Sequence, residues 1–162
     1  MDTTLLAQAV SISTAFIMSG YMLSASQVTL PLLYPLPAQT TTPLFAGVYH
    51  RGASLVIPGT IISTAASAYL AYTATSSQEC IVYAAAGAVT TGILPLTAVA
   101  MMPGIHRLLA LAKSDSAVQV KAQESGEVTG LLKAWTRQNY VRVVMCAVGG
   151  GLGLYAAVRR EC

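Results

Sequence analysis

Apolar residues run along this chain in four long blocks separated by short polar stretches, and each block is long enough to cross a bilayer. Thr3 to Tyr49 contains no Asp, Glu, Lys or Arg, nor does Gly52 to Gln78, nor Cys80 to His106. A spanning helix needs roughly 20 apolar residues. The fourth block, Leu131 to Tyr155, differs in carrying a charge, Arg142, well inside it. The pattern predicts an all-α integral membrane bundle of four transmembrane helices, forming one domain over residues 1–162. The spans are expected near Leu5 to Val28, Tyr49 to Thr75, Ile81 to Met102, and from Trp135 onward.

The connections read as follows. From Thr29 to Gly47 the chain carries Pro31, Pro35, Pro37 and Pro43, a density that argues against regular helix, because each proline removes a donor and crowds the preceding turn. The same stretch is apolar, so it is expected to lie as a loop over the mouth of the bundle, as a fixed lid or as a gate. Thr75-Ser76-Ser77-Gln78-Glu79 is a polar turn of the kind that joins antiparallel helices. His106 to Glu124 is expected to form a surface helix broken near Lys113-Ser114-Asp115-Ser116. The last helix is expected to start at Ser125-Gly126-Glu127.

Within the spans, polar and small residues recur at helical spacing. Trp135, Asn139, Arg142, Cys146, Gly149 and Gly153 share one face of the last helix. That face is expected to point inward, since an arginine facing lipid near mid-membrane costs roughly 2.5–3.5 kcal/mol on insertion scales. Snorkelling of Arg142 to the headgroups is the competing reading. Asn139, the chain's one asparagine, suits an oxygen-rich ligand, although a helix–helix hydrogen bond also explains it. On the first span Ser13, Ile17, Gly20, Ser24 and Gln27 form a stripe expected to serve close helix packing, with Gln27 near the same end as Arg142. On the second, His50 heads a stripe through Ala53, Ile57, Thr60, Thr64 and Ser67. It is a candidate general base or a hydrated interfacial histidine. The small-residue faces suit packing within one chain or between copies in a homo-oligomer.

Composition narrows the chemistry. Only 9% of the 162 residues are charged, against about 25% in soluble domains, and a net charge of +3 is too small and scattered for nucleic acid. The chain opens Met1-Asp2-Thr3-Thr4 without a basic region, so the first block is expected to be a permanent helix. Basic residues gather at the ends joined by the first and third loops, which places those loops in the cytosol and both termini in the lumen. The cysteines, Cys80, Cys146 and Cys162, form no C-x-x-C pair, which argues against a thiol relay. Two histidines, His50 and His106, with no acidic residue inside a span, do not assemble a typical metal site. No nucleotide-binding glycine pattern or Ser-His-Asp set is present.

One resemblance gathers these features. Gly20-x-x-x-Ser24-x-Ser26 followed by Pro31, Tyr49-His50-Arg51-Gly52 followed by Pro58, Pro95-Leu96-Thr97 with Met102-Pro103, and Trp135-Thr136-Arg137-Gln138-Asn139-Tyr140-Val141-Arg142 together resemble the small four-helix membrane proteins that include fungal anthrone oxygenases of aromatic polyketide pathways. The resemblance spans nearly the whole chain, and its weight is in the order and spacing of the pieces. Many relatives resemble one another in a Pro-Thr-Asn, where this chain has Pro103-Gly104-Ile105. The resemblance implies an endoplasmic reticulum enzyme that turns an anthrone into an anthraquinone with O2, without metal or flavin. It implies His50, or failing it His106, as the base and Arg142 as the stabiliser of phenolate and enolate oxygens. Tyr49, Trp135 and Tyr140 would stack on the substrate, with Arg51, Asn139 and Gln27 as further contacts. A non-catalytic scaffold for a biosynthetic enzyme and a small carrier of hydrophobic metabolites are the other functions compatible with the sequence.

Overall fold

The computed structural model describes residues 3–160. Four long helices, α1 (Thr3–Leu33), α2 (Ala38–Tyr72), α3 (Ser77–Ala112) and, after the short α4 (Ser116–Glu124), α5 (Glu127–Arg160), make up nearly all of it. No strand occurs among the described residues. Each long helix has the length and apolar composition to cross a membrane, and the chain is a multi-pass membrane protein. α1 packs against α2 and α5, and α3 packs against the same two, which closes a ring of four.

The ends of the helices follow from local chemistry. Ser76 caps α3, its hydroxyl accepting from Glu79 N at 3.2 Å, while the Glu79 carboxylate accepts from Thr75 N at 3.1 Å; the polar turn thus satisfies donors that the helix start leaves open. α3 ends at Ala112 and α4 begins at Ser116, so the break falls at the expected place. Gly126, with φ at 74°, turns the chain into α5. No side chain beyond glycine takes that backbone conformation readily.

The proline-rich stretch departs from expectation. Only Tyr34 to Pro37 is non-helical; α1 runs on through Pro31, and α2 starts at Ala38, more than two turns before Tyr49, and passes through Pro43. Hydroxyls explain the tolerance. Thr41 Oγ1 donates to Leu33 O and Leu36 O, both at 3.1 Å, and Thr42 Oγ1 donates to Ala38 O at 2.9 Å. Leu33 O, which faces the missing donor of Pro37, therefore keeps a partner, and such side-chain satisfaction is one way in which membrane helices accommodate proline. The corner does cover one end of the bundle. Leu30, Leu33 and Phe45 are buried together with Ile105, Leu108 and Leu111 of α3, Ala122 of α4, and Leu132 and Trp135 of α5.

The α1 stripe also departs. Ser13, Ile17, Gly20, Ser24 and Gln27 are exposed on the outer surface, and nothing lies within 4 Å of a Cβ built on Gly20. The packing face is Gln8, Ser11, Ala15, Ser19, Met22 and Ser26. Ser11 and Ser67 share a hydrogen bond of 2.7 Å, and Ser19 Oγ donates to Val143 O at 3.0 Å. Both stripes carry small and hydroxyl residues, so spacing did not distinguish them. On α5 the expected inward face is the observed one: Trp135, Asn139, Cys146, Gly149 and Gly153 are buried and Arg142 is partly buried. Cys80 is exposed, Cys146 buried, and both thiols are free. Cys162, Met1 and Asp2 lie outside the described residues, as does the side chain of Arg160.

Candidate active site

Two helices widen at the same level of the bundle. In α1 the turn Ala25–Thr29 is π-helical, Leu30 N reaching back five residues to Ala25 O, and in α3 the turn Thr97–Met101 is π-helical, Met102 N reaching Thr97 O. Such single wide turns occur frequently at functional sites. Adjacent amides on α5 bind both. Asn139 Nδ2 donates to Met22 O and to Ser26 Oγ, each at 2.9 Å, and Gln138 Nε2 donates to Ala100 O at 3.0 Å.

Between the wide turns the four long helices enclose a cavity of about 200 Å³. Tyr21, Met22 and Ala25 line it from α1, Tyr49, Gly52 and Val56 from α2, Thr97 and Met102 from α3, and Trp135, Asn139 and Arg142 from α5. Gly52 leaves room for the Tyr21 ring, whose hydroxyl lies 3.3 Å from where a Cβ would stand. Aromatic rings order one wall. Phe45, fully buried, meets Trp135 edge-on at 5.8 Å between centroids and lies parallel to Tyr49 at 6.5 Å. The lining is largely apolar and contains no acidic residue.

Arg142 is the one charged group of that lining. Its Nη1 donates to Asn139 Oδ1 at 3.1 Å and contacts Met101 Sδ at 3.9 Å. Its Nε is buried with no hydrogen-bond partner, and so is Trp135 Nε1. A buried donor left unmet costs about 1–3 kcal/mol. As the one cationic side chain of that lining, Arg142 makes the cavity receptive to oxygen acceptors, above all anionic ones.

The structure brings together Tyr49, Trp135, Asn139 and Arg142. It does not place the other sequence candidates in the lining. His50 and Arg51 are exposed on α2, although the His50 ring lies 5.3 Å from that of Tyr49. His106 is exposed on α3, Gln27 on the wide turn of α1, and Tyr140 on α5. Sequence reasoning missed Tyr21, Met22, Thr97 and Met102, because the wide turns that aim this part of α1 and α3 have no sequence signature. Among the described residues no three His, Cys, Asp or Glu side chains cluster as metal ligands would.

Fold and site thus define a class: a polytopic helical membrane protein with an aromatic-walled, arginine-bearing cavity inside the bundle. A family model described as anthrone oxygenase matches residues 45–152, and the chain belongs to the anthrone oxygenase family. It is 28% identical over 157 residues to anthrone oxygenase AgnL2 of Paecilomyces divaricatus, covering 94% of this chain and 95% of that protein. It is likewise 28% identical over 151 residues to an anthrone oxygenase of Claviceps purpurea (strain 20.1), covering 89% and 84%. No solved structure matches.

Proposed function

We propose that the cavity binds a polyketide anthrone in its ionised form and that the protein converts it to an anthraquinone with O2, without metal or flavin. The observation that carries this reading is the one cationic side chain of the lining, Arg142, in an otherwise largely apolar cavity walled by Tyr49 and Trp135. An anthrone offers the matching acceptors, phenolic and ketone oxygens on a rigid fused-ring plane.

The chemistry balances without a further reductant. The methylene between the two aromatic rings loses a proton, and its charge spreads onto the carbonyl and phenol oxygens. Arg142 stabilises that charge where no solvent competes. The anion passes an electron to O2, the resulting radicals combine into a hydroperoxide, and the proton returns. Loss of the second methylene hydrogen with cleavage of the O–O bond leaves the carbonyl and releases water. His50 is the proton acceptor in this scheme. It is exposed outside the lining, its ring 5.3 Å from that of the cavity-lining Tyr49, so in this scheme the proton reaches it through water.

Membranes carrying the chain are expected to form anthraquinone from a polyhydroxylated anthrone faster than matched empty membranes, with the excess rate surviving a metal chelator. His50→Gln is expected to lower that excess by up to about 10²-fold, the low end of general-base effects, and His106→Gln to leave it. A rate equal to the spontaneous one on several anthrones sinks the reading, and a reversed histidine pattern moves the base to His106.

We propose further that the protein sits in the endoplasmic reticulum with both termini lumenal. The end that holds the proline corner and α4 carries Arg107, Lys113, Lys121, Lys133 and Arg137, and basic residues mark the cytosolic side. A glycosylation acceptor built into the Thr73 to Ser76 turn is expected to be modified. Its failure to be modified, when a matched acceptor after α4 is modified, reverses the sidedness.

A further inference from the structure

We propose that Asn139 contacts no substrate and instead is the positioning residue that holds the Arg142 guanidinium in the cavity. The inference rests on the reading of this cavity as the anthrone site.

The case comes from counting the amide's groups. A primary amide has two N–H donors and one carbonyl oxygen. Both donors of Asn139 are used on α1, on Met22 O and Ser26 Oγ at 2.9 Å each, and Oδ1 accepts from Arg142 Nη1 at 3.1 Å. The residue is 1% exposed. No donor remains for a ligand.

The orientation is also fixed. Rotating the amide by half a turn would set its NH2 against the guanidinium and its oxygen against the Met22 carbonyl, losing both of those bonds and leaving only Ser26 Oγ, whose hydroxyl can donate as well as accept. The wide turn makes this possible, because Met22 lies just ahead of it and Ser26 lies within it. The chain of cause runs from the α1 distortion through Asn139 to Arg142, one helical turn further along α5. Arg142 itself lines the cavity, so its guanidinium is held through Nη1 by Asn139 while the side chain remains part of the site.

The test reads Arg142 directly as well as its effect on substrate. In detergent-solubilised protein without ligand, heteronuclear NMR of the arginine Nε–H is assigned to Arg142 by its disappearance in Arg142→Leu. The companion measurement is the red-shifted absorbance of anthrone ionised on the protein under nitrogen. Asn139→Ala is expected to merge the Arg142 signal with those of mobile arginines and to lower both the bound ionised fraction and kcat by about 10–100-fold, with KM changed little. Gln8→Ala is the control, since it removes another buried tie between helices, Gln8 Nε2 to Tyr83 OH at 2.8 Å, and is expected to leave the signal and the absorbance as in the wild type.

An Arg142 signal unchanged in Asn139→Ala overturns the proposal, as does an equal change in Gln8→Ala. If the signal collapses in Asn139→Ala while the wild type ionises no anthrone, the positioning role stands and the substrate reading fails.

Discussion

Replacing Arg142 with leucine is expected to lower kcat for anthraquinone formation by about 10²–10³-fold, the loss seen when one preorganised stabiliser of a developing oxyanion is removed. The variant is expected to insert and fold. No carboxylate lines the cavity to be orphaned by the change, and a buried charge without an ionic partner is itself costly to hold, so its removal does not strip the bundle of a net stabilising pair. The groups left without this partner are Asn139 Oδ1 and, more weakly, Met101 Sδ, while the Asn139 amide keeps Met22 O and Ser26 Oγ. Activity and stability therefore separate. Rates on membranes and thermal unfolding of the purified protein report them independently. An arginine that merely snorkels to the headgroups predicts the opposite, intact activity with impaired insertion.

Gly149→Val is expected to prevent the bundle from assembling, the largest structural effect of any single change considered. A Cβ at Gly149 would collide with Thr90 Oγ1 and stand 3.1 Å from Ala86 O. Neither neighbour can give way cheaply. Thr90 is buried and its hydroxyl donates to Ala86 O at 2.9 Å, and the carbonyl belongs to the backbone of α3. Valine adds two further carbons into the same space, so the cost passes the usual 1–3 kcal/mol of overpacking, about the scale at which cores rearrange. The helix has no slack on its other side, where Gly153 faces Ile12 and Gly150 faces the Phe16 ring. Size-exclusion profiles and yield of solubilised protein read the result. Gly151→Val, at a position with nothing within 4 Å, is expected to behave as the wild type; equal behaviour of the two variants would contradict the packing described.

Much of this was legible in the sequence where a single physical rule dominates. Long uncharged blocks have no other stable form in a membrane, so the four helices followed from them. The inward face of α5 followed from the cost of turning Arg142 to lipid. The polar turn at Thr75 to Glu79 and the start of the last helix at Ser125-Gly126-Glu127 followed from residues whose chemistry suits few other places. Competing rules left other parts unread. On α1, Ser13, Gly20 and Ser24 look as fit for helix contact as Ser11, Ala15 and Ser19, and only the position of α2 and α5 decides between them. At Pro31 and Pro43 the loss of donors suggested a loop, but the helices run through both, and at the corner between them the Thr41 hydroxyl supplies Leu33 O and Leu36 O with a partner, a remedy that local reading does not weigh. The wide turns at Ala25–Thr29 and Thr97–Met101 cannot be seen in composition, and they set which residues meet in the cavity. Hence Tyr21 and Met102 entered the lining while Gln27 and Tyr140 stayed outside it. Trp135, Asn139 and Arg142 were found because they share the one face that the sequence did determine.

In the function proposed above, the Arg142 cavity is where the anthrone anion is held and oxidised. The most direct measurement is a structure of the protein with an anthraquinone product bound. The account predicts the fused rings against Trp135 and Tyr49 between the two wide turns, with a product oxygen within hydrogen-bond distance of Arg142. A product seated instead in the outer groove of α2 and α3, beside Ala68 and Ala88, with the Arg142 cavity empty, would contradict it.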